Sequence, residues 1–376
     1  RVAGALGFKL DSEEAVIIKA KSVILCTGAG AFKPSGFQVC SLTSDGDAMA
    51  YRIGGKISGK EFVDTHFTGS DSPGYCWDNW KDQWKTGIMK VEGGPEANGM
   101  GLDLQMYHNA HAGNVPVTMK PPGGDKKPKS NEKFNDEGPK NGPLGDKPPG
   151  MGEGDPLGGA SAGMGVHKCE GLFPTDSKCG TNIEGLFAAG DCLSSMMVGG
   201  KYVGVIGFAL AGSATQGALA GEVGAEYIKN KSIPSISNRT IKALKEEMFA
   251  PRELEKGYDP AWVTQMLKFN TIPYYVLYIK KEDRLKAALK NIEFFRDHFA
   301  NKMIASDAHQ LRLVHETRNM LLNAEMKLKA SLFRTESRGN HYREDYPNTD
   351  DKNWLAWVVI EKDKNNNINI CNGGGL

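Results

Sequence analysis

Apolar residues in the first part of the chain form short, uninterrupted runs that end in glycine. Residues 15–26 hold two β-branched runs, and the second passes directly into Thr27 and Gly28. A similar run at residues 185–189 ends at Gly190. Continuous apolar runs of this kind are typical of strands that are buried in a parallel sheet. We therefore predict an α/β domain in which both strands end in a glycine turn.

Helical patterns dominate the second part of the chain. After residue 236, apolar residues recur at helical spacing, most clearly in residues 284–299 and 311–333, so this part is predicted to be all-α. Residues 44–47 predict a capped helix start. Residues 202–229 predict a helix rich in glycine and alanine. Because it has few large apolar side chains, we expect it to pack against a sheet or a cofactor and not to span a membrane.

Composition divides the chain further. Residues 121–159 are rich in proline, glycine, lysine and aspartate, which is typical of a long loop or a poorly ordered insertion. We predict five regions: the first part of the α/β domain (1–69), an atypical insertion (70–160), the second part of the α/β domain (161–230), a helical domain (236–363) and a flexible tail (364–376).

Charge and cysteine content exclude several classes of function. The 46 basic and 45 acidic side chains nearly cancel, so neither nucleic acid nor an anionic membrane surface is indicated as a partner. The seven cysteines include no C-x-x-C pair, which disfavours an iron–sulfur cluster held by this chain. His108 and His111 have no evident third ligand, so we predict no metal site.

The order of five segments resembles one known family. Residues 23–30, 43–50 and 61–69 are similar to the "ATGG", "TGDG" and "FxQxHPTG" segments of succinate dehydrogenase and fumarate reductase flavoprotein subunits. Residues 183–191 resemble the "IPGLYAAGE" segment of that family, and residues 334–347 are very close to its "RTESRGAHxREDYP" segment. The chain thus resembles this flavoprotein superfamily, which also includes the adenylylsulfate reductase α subunit.

The resemblance implies a fold. It predicts an α/β, Rossmann-like FAD-binding domain followed by the helical C-terminal domain of the superfamily. These flavoproteins begin with a strand, a glycine loop and a helix that bind the ADP part of FAD, whereas no G-x-G-x-x-G motif occurs near the start of this chain. We expect the N-terminal part of the FAD domain to be missing from this sequence. The alternative is that another polypeptide supplies that part.

The resemblance also implies which residues contact FAD. The glycine turns would bring backbone N–H groups close to the cofactor, and Asp45 and Asp191 would accept hydrogen bonds from its hydroxyl groups. Each aspartate could instead be a helix N-cap. A helix near residues 203–207 would direct its N-terminal dipole at the flavin ring. The predicted cofactor-binding residues are Thr27, Gly28, Ala29, Gly30, Asp45, Gly46, Gly190, Asp191, Val205, Ile206 and Gly207.

Three further residues are predicted to bind substrate. By resemblance, His66 aligns with the histidine of "HPTG", and His167 aligns with the family's second substrate-binding histidine. Lys201 stands where the family has an arginine that clamps the substrate, and lysine provides charge without the bidentate fork. We expect these three catalytic residues to converge beside the flavin. The alternative is that they are structural histidines and a surface lysine.

Two other features of the sequence bear on the reaction. The family's capping domain carries an arginine that protonates fumarate, yet this sequence has no arginine between Arg52 and Arg239. Fumarate reduction through that arginine is therefore not expected. The charged residues of the last motif are predicted to form a buried or interface ion-pair network: Glu336, Arg338, Arg343 and Asp345.

These observations predict an FAD-dependent oxidoreductase subunit. It would pass two electrons between a small anionic substrate and FAD, and a partner subunit with iron–sulfur clusters or another acceptor would relay them. Two alternatives stay open: a flavoprotein like the adenylylsulfate reductase α subunit, and a catalytically degenerate flavin-binding or scaffold subunit of a larger complex. We expect a cytoplasmic protein without a membrane span of its own, whose association with any membrane is made through a partner.

Overall fold

The structure is a computed structural model. It describes residues 1–30, 43–66, 90–92, 117–120, 156–157, 165–168, 171–194, 197–198, 201–202, 208–271, 273–277 and 279–373. The helices are α1 (Asp45–Arg52), α2 (Phe208–Ile228), α3 (Asn238–Phe249), α4 (Pro260–Thr271), α5 (Tyr274–Leu277), α6 (Glu282–His298), α7 (Ala308–Phe333) and α8 (Asp351–Trp354).

The strands are short and belong to several small sheets. They are β1 (Gly4–Phe8), β2 (Ala15–Lys19), β3 (Val23–Leu25), β4 (Ile57–Ser58), β5 (Asp64–His66), β6 (Lys90–Glu92), β7 (Val117–Lys120), β8 (Pro156–Leu157), β9 (Gly165–Lys168), β10 (Leu186–Ala188), β11 (Met197–Val198), β12 (Lys201–Tyr202), β13 (Ile279–Lys280), β14 (Tyr342–Arg343), β15 (Val358–Lys362) and β16 (Ile368–Asn372).

The two predicted glycine-terminated strands lie side by side. β3 and β10 pair in parallel, with Val23 opposite Leu186, so the turns that follow both strands lie at the same edge. Helix α2 packs on this pair, and the rings of Phe187 and Tyr227 meet edge to face at 5.9 Å. Among named strands in the described ranges, only this pair and β13–β14 are parallel. The wider parallel sheet of a Rossmann-like domain stays a prediction.

The C-terminal part is mainly helical, as predicted. Helices α6 and α7 cover the two stretches whose apolar spacing is helical. Together with α4 they enclose an apolar core that includes Leu267, Ile292 and Leu321. Val63, from the first part of the chain, is buried in the same core. The helical region therefore packs directly on the segment that precedes the proposed His66 site.

The prediction that this part is all-α was wrong. β13 pairs with β14, and β15 pairs in antiparallel fashion with both β16 and β4. The expectation of a flexible tail was wrong for Ile368–Asn372, which forms β16. Although this segment is largely polar, its isoleucines alternate, and Ile370 is paired with the fully buried Ile360. A short alternating strand is stable there because a partner strand and a core already exist.

Helix α7 joins two cores. Leu321 and Leu328 belong to the helical core, whereas Met326 and Ala330 belong to a second core around β10 and β15. A helix that is apolar on two faces must be covered on both sides. Within the described residues, no helix is both long and apolar enough to cross a membrane. Most of the predicted insertion, 70–160, lies outside the described residues.

Candidate functional site

Three segments meet at the carboxyl ends of β3 and β10. The Oγ1 atom of Thr27, in the turn after β3, donates a hydrogen bond of 3.2 Å to Sγ of Cys192, in the turn after β10. Gly30, at the end of the first turn, forms an isolated bridge with Thr43, which leads into α1. The structure thus brings together three of the four predicted cofactor-binding segments. The fourth, residues 205–207, lies outside the described residues.

Glycine is required at these turns by geometry. Gly28 and Gly190 have φ angles of 70° and 71°, in the left-handed region where other residues are strained. Close approach matters at Gly46, where a Cβ atom would lie 1.9 Å from Oγ1 of Thr27. The first turn of α1 can therefore pack against the β3 turn only if residue 46 is glycine.

Asp45 is half-buried at the first position of α1. Thr43 Oγ1 donates to its Oδ2 atom at 2.7 Å, and Asn319 of α7 donates to its Oδ1 atom. The preceding Ser44 occupies the N-cap position with a φ of 60°, and its side chain makes no capping hydrogen bond. Asp45 is therefore not the N-cap of α1. Its carboxylate is held by groups from its own loop and from the C-terminal part of the chain.

Asp191 is not an N-cap residue either. It is half-buried in the middle of a one-turn 3₁₀ helix, Gly190–Cys192, and Ala189 occupies the N-cap position. The backbone N–H of Gly190 donates to Oε1 of Gln216 in α2 at 2.9 Å. Helix α2 thus fixes the turn that presents Asp191, and the N–H of Gly190 is already engaged within the protein.

A buried ion pair that the sequence analysis did not identify lies next to this site. Lys60 and Asp47 form a hydrogen-bonded pair with side chains 0% and 2% exposed. Burial raises the pKa of Asp47, while the neighbouring Lys60 opposes that shift. The only signal in the sequence was an acidic residue one position after Gly46, in the first turn of a helix. Its partner, thirteen residues away, could not be identified from spacing.

Cys192 is unsuited to thiol chemistry. It is fully buried, and burial raises its pKa to about 12. A thiol with so high a pKa carries almost no thiolate at neutral pH. Its position between Thr27 and the Lys60–Asp47 pair is a packing position that joins two turns.

The predicted substrate-binding residues lie on three short strands. β5 and β9 pair in antiparallel fashion, with His66 opposite Gly165 and a register irregularity between Asp64 and Thr65. His66 and His167 are therefore on neighbouring strands. Lys201 begins β12, which pairs with β11. That these side chains share one pocket stays a prediction.

The last motif forms the predicted ion-pair network, although its centre is different. Arg334 is 1% exposed and contacts Glu61 and Glu336, both 0% exposed, at 2.8 and 2.9 Å. Arg343 pairs with Asp345 at 2.7 Å. Arg338 lies at the edge, since it is 25% exposed. The network connects residue 61, just before β5, to the C-terminal segment.

Two buried bases lie beside this network. Nζ of Lys280 donates to the carbonyl oxygen of Glu61 and lies 3.0 Å from Nδ1 of His341. Both side chains are fully buried. Burial lowers the pKa of Lys280 and that of His341 well below their usual values, and in each case neighbouring cations add to the effect. A neutral His341 accepts a hydrogen bond from Lys280 at Nδ1, and its Nε2–H then faces the carbonyl oxygen of Arg334 at 3.3 Å.

Within the described ranges, no group of three histidine, cysteine, aspartate or glutamate side chains is arranged to hold a metal ion. The pair His108 and His111 lies outside those ranges.

Comparisons with known proteins support the resemblance drawn from the motifs. Residues 270–371 match the family model described as the C-terminal part of the fumarate reductase flavoprotein. An uncharacterized FAD-dependent oxidoreductase of Methanocaldococcus jannaschii is 30% identical over 200 residues, which cover 53% of this chain and 35% of that protein. The succinate dehydrogenase flavoprotein subunit of Bacillus subtilis is 28% identical over 206 residues, covering 52% of this chain and 34% of that subunit. The chain thus spans about a third of the length of these curated relatives.

Solved structures show the same fold. The adenylylsulfate reductase of Archaeoglobus fulgidus superposes with a TM-score of 0.75 at 21% identity, covering 100% of this chain and 70% of that chain. A quinol fumarate reductase of E. coli superposes with a TM-score of 0.76 at 19% identity, covering 99% and 68%. The chain therefore resembles the succinate dehydrogenase/fumarate reductase flavoprotein superfamily in sequence and in fold.

Proposed function

We propose that this chain belongs to an FAD-dependent oxidoreductase that transfers two electrons between a small anionic substrate and FAD. The observation that carries the proposal is the meeting of three segments at the carboxyl ends of two parallel strands: Thr27–Gly30, Asp45–Gly46 and Gly190–Asp191. Ligands of α/β proteins bind at such strand ends. The relatives named as FAD-dependent oxidoreductases and flavoprotein subunits support the choice of FAD.

The residues present fit such a cofactor. Glycine turns with left-handed backbone at Gly28 and Gly190 follow both strand ends. Among the described residues, Thr43 and Asn319 each donate to one oxygen of Asp45. A carboxylate oxygen can accept more than one hydrogen bond, so hydroxyl groups of FAD can still donate to it. Asp191 is half-buried and adjoins the second turn. When bound, FAD supplies the two-electron chemistry.

We assign substrate binding to His66, His167 and Lys201. Pairing of β5 with β9 supports a shared location for the two histidines. Imidazole and ammonium groups together suit a carboxylate or another small anion. Lys201 would attract that anion as a point charge, with less control of its orientation than an arginine fork gives.

The proposal has two forms, which differ in the class of substrate. The lack of any arginine between Arg52 and Arg239 favours a reaction other than fumarate reduction through the arginine of the family. A sulfonucleotide substrate, of the kind the adenylylsulfate reductase α subunit uses, is the second candidate. In either form a partner subunit would relay the electrons.

The test uses the full-length protein that contains this chain. After purification it should show the visible spectrum of a flavin, and anaerobic addition of the correct substrate or reductant should change that spectrum. Dicarboxylates and sulfonucleotides are screened in parallel. Absence of flavin after reconstitution with FAD would refute the enzyme and favour a scaffold role.

Variants then test the site. Asp45→Ala should weaken FAD binding, whereas Lys201→Ala should raise KM with bound flavin unchanged. Lys242→Ala is the matched control for Lys201→Ala, since Lys242 is a lysine 79% exposed on α3. If Lys201→Ala behaves like this control with every substrate that reduces the flavin, the assignment of Lys201 is wrong.

A further inference from the structure

Helix α7 carries two buried asparagines that hold the Ser44–Asp45 loop. Asn319 and Asn323 are four residues apart, so they lie on the same face of the helix. Nδ2 of Asn319 donates to Oδ1 of Asp45. Nδ2 of Asn323 donates to the carbonyl oxygen of Ser44 at 3.3 Å and to that of Asn319 at 3.0 Å. The two amides thus contact two consecutive residues of the loop.

These asparagines are costly for the helix itself. Asn319 is 6% exposed and Asn323 is 0% exposed, and asparagine is a weak helix former. In the part of the chain that the structure describes, Oδ1 of each amide is buried and receives no hydrogen bond. A buried acceptor without a donor destabilises the folded state. Apolar side chains would stabilise this face of α7 better, so the stability of α7 does not explain the pair.

The loop, in contrast, requires support from outside. Ser44 adopts a left-handed backbone conformation without being glycine, and its side chain does not cap α1. Such a conformation persists only where the surroundings impose it. Asn323 holds the carbonyl oxygen of Ser44, and Asn319 fixes the carboxylate of the next residue. The hydrogen bond from Asn319 has an ionised acceptor, which makes it stronger than one between neutral groups.

We infer that Asn319 and Asn323 are positioning residues for the cofactor carboxylate Asp45. They set the orientation of Asp45 toward FAD from a helix of the C-terminal part of the chain. The inference rests on the proposed function, in which Asp45 contacts FAD. It adds that the C-terminal part takes part in cofactor binding through α7, by way of the Ser44–Asp45 loop.

The test compares FAD affinity among variants of the full-length protein. Apoprotein is prepared from the wild type and from Asn319→Ala, Asn323→Ala and Asn319→Asp, and each is titrated with FAD. Loss of a hydrogen bond to a charged group should weaken FAD binding roughly 10-fold or more. Asn319→Asp keeps the volume of the side chain, but it places a second carboxylate against Asp45. It should weaken binding at least as much as Asn319→Ala.

A matched control separates positioning from stability. Thr317 is buried on the same helix and donates to the carbonyl oxygen of Leu313, away from the loop. Thr317→Ala should lower the melting temperature of the apoprotein while its FAD affinity and flavin midpoint potential stay those of the wild type. The asparagine variants should change both the FAD affinity and the flavin midpoint potential. If they lower only the melting temperature, the inference is overturned.

A double-mutant cycle tests whether Asn319 affects FAD affinity through Asp45. In an Asp45→Ala background, Asn319→Ala should cause no further loss of FAD affinity, because the carboxylate to which its side chain donates is already absent. Additive losses would show that Asn319 acts independently of Asp45 and would overturn the inference. The outcomes also separate the two proposals. A wild-type protein that binds no FAD refutes the proposed function, whereas wild-type and Asn319→Ala proteins that bind FAD equally refute only the positioning role.

Discussion

Within the described residues, the guanidinium group of Arg334 donates to four partners. Nε contacts Glu61, Nη1 contacts Glu336 and the carbonyl oxygen of Trp354, and Nη2 contacts the carbonyl oxygen of Ala356. Almost no part of the side chain reaches water. Removing one partner of such a buried ion pair strongly destabilises the protein, because the other charged group is left buried and unpaired.

We predict that Arg334→Ala lowers the free energy of unfolding by about 3–5 kcal/mol, the range for a broken buried ion pair. Arg338→Ala is the control from the same motif. Arg338 is 25% exposed, its partner Asp351 is 71% exposed, and its second partner, the buried Glu336, keeps its contact with Arg334, so its loss should cost about 1 kcal/mol or less. Denaturant unfolding of both variants measures the difference. Equal losses would show that the network has no buried centre at Arg334.

His341 gives the stability of the protein a dependence on pH. Burial lowers its pKa well below 6.5 in the folded state, so the unfolded state binds the proton more readily. His341 therefore makes its full contribution to stability above about pH 6.5, the pKa of histidine in the unfolded state. This contribution decreases as the pH falls below that value.

We predict that the wild-type protein loses stability between about pH 6.5 and 5, and that His341→Gln loses less over this range. The glutamine oxygen can still accept from Lys280, and the side chain does not titrate. His298 is the control, since it is exposed in the last turn of α6; His298→Gln should keep the wild-type slope. Melting temperatures across the range provide the measurement, and identical slopes for wild type and His341→Gln would contradict the prediction.

At the scale of elements, β16 shows how a polar segment becomes ordered. Residues 364–367 are exposed, but Ile368 and Ile370 pack against the core around β10 and β15. Pairing with β15 satisfies the backbone of this strand. A segment with only two useful apolar side chains cannot fold by itself, and it is ordered because the neighbouring strand is already in place.

We predict that Ile370→Ala lowers the free energy of unfolding by about 2 kcal/mol, at the low end of values for isoleucine truncation because the side chain is only partly buried. Asn369→Ala, at the neighbouring exposed position, should change it by less than about 0.5 kcal/mol. Chemical denaturation distinguishes the two. A neutral Ile370→Ala variant would mean that β16 contributes little to the fold.

At the scale of the whole molecule, α7 connects the parts of the chain. Its apolar residues enter two cores, its asparagines hold the Ser44–Asp45 loop, and Arg334 at its end binds Glu61. Elements that share so many buried contacts are expected to unfold together. Binding at the Asp45 loop should then stabilise the C-terminal helices as well.

We predict that FAD release and the loss of helical structure occur in one transition in the full-length protein. Excess FAD at about 100 times its Kd should stabilise the protein by about 2.7 kcal/mol. Flavin fluorescence and far-ultraviolet circular dichroism, recorded during the same heating scan, should give coincident midpoints. Two separate midpoints would show that the C-terminal helices fold independently of the cofactor site.

Sequence alone determined the features that depend on near neighbours. Apolar periodicity located α6 and α7, and continuous apolar runs located β3 and β10, because helices and strands bury side chains at fixed periods. Motif order indicated the superfamily and the turns at Gly28 and Gly190. In both turns a left-handed backbone makes glycine the required residue.

Tertiary structure decided which distant groups meet. Lys60 with Asp47, Arg334 with Glu61, and Asn319 with Asp45 are separated by 13, 273 and 274 residues, and nothing in the spacing of these residues indicates their pairing. Ser44 likewise adopts a conformation that its local sequence does not favour, and β16 is ordered because it pairs with β15. The physical reason is the same in each case: a buried charge or a strained residue is stable only where the folded chain supplies its partner.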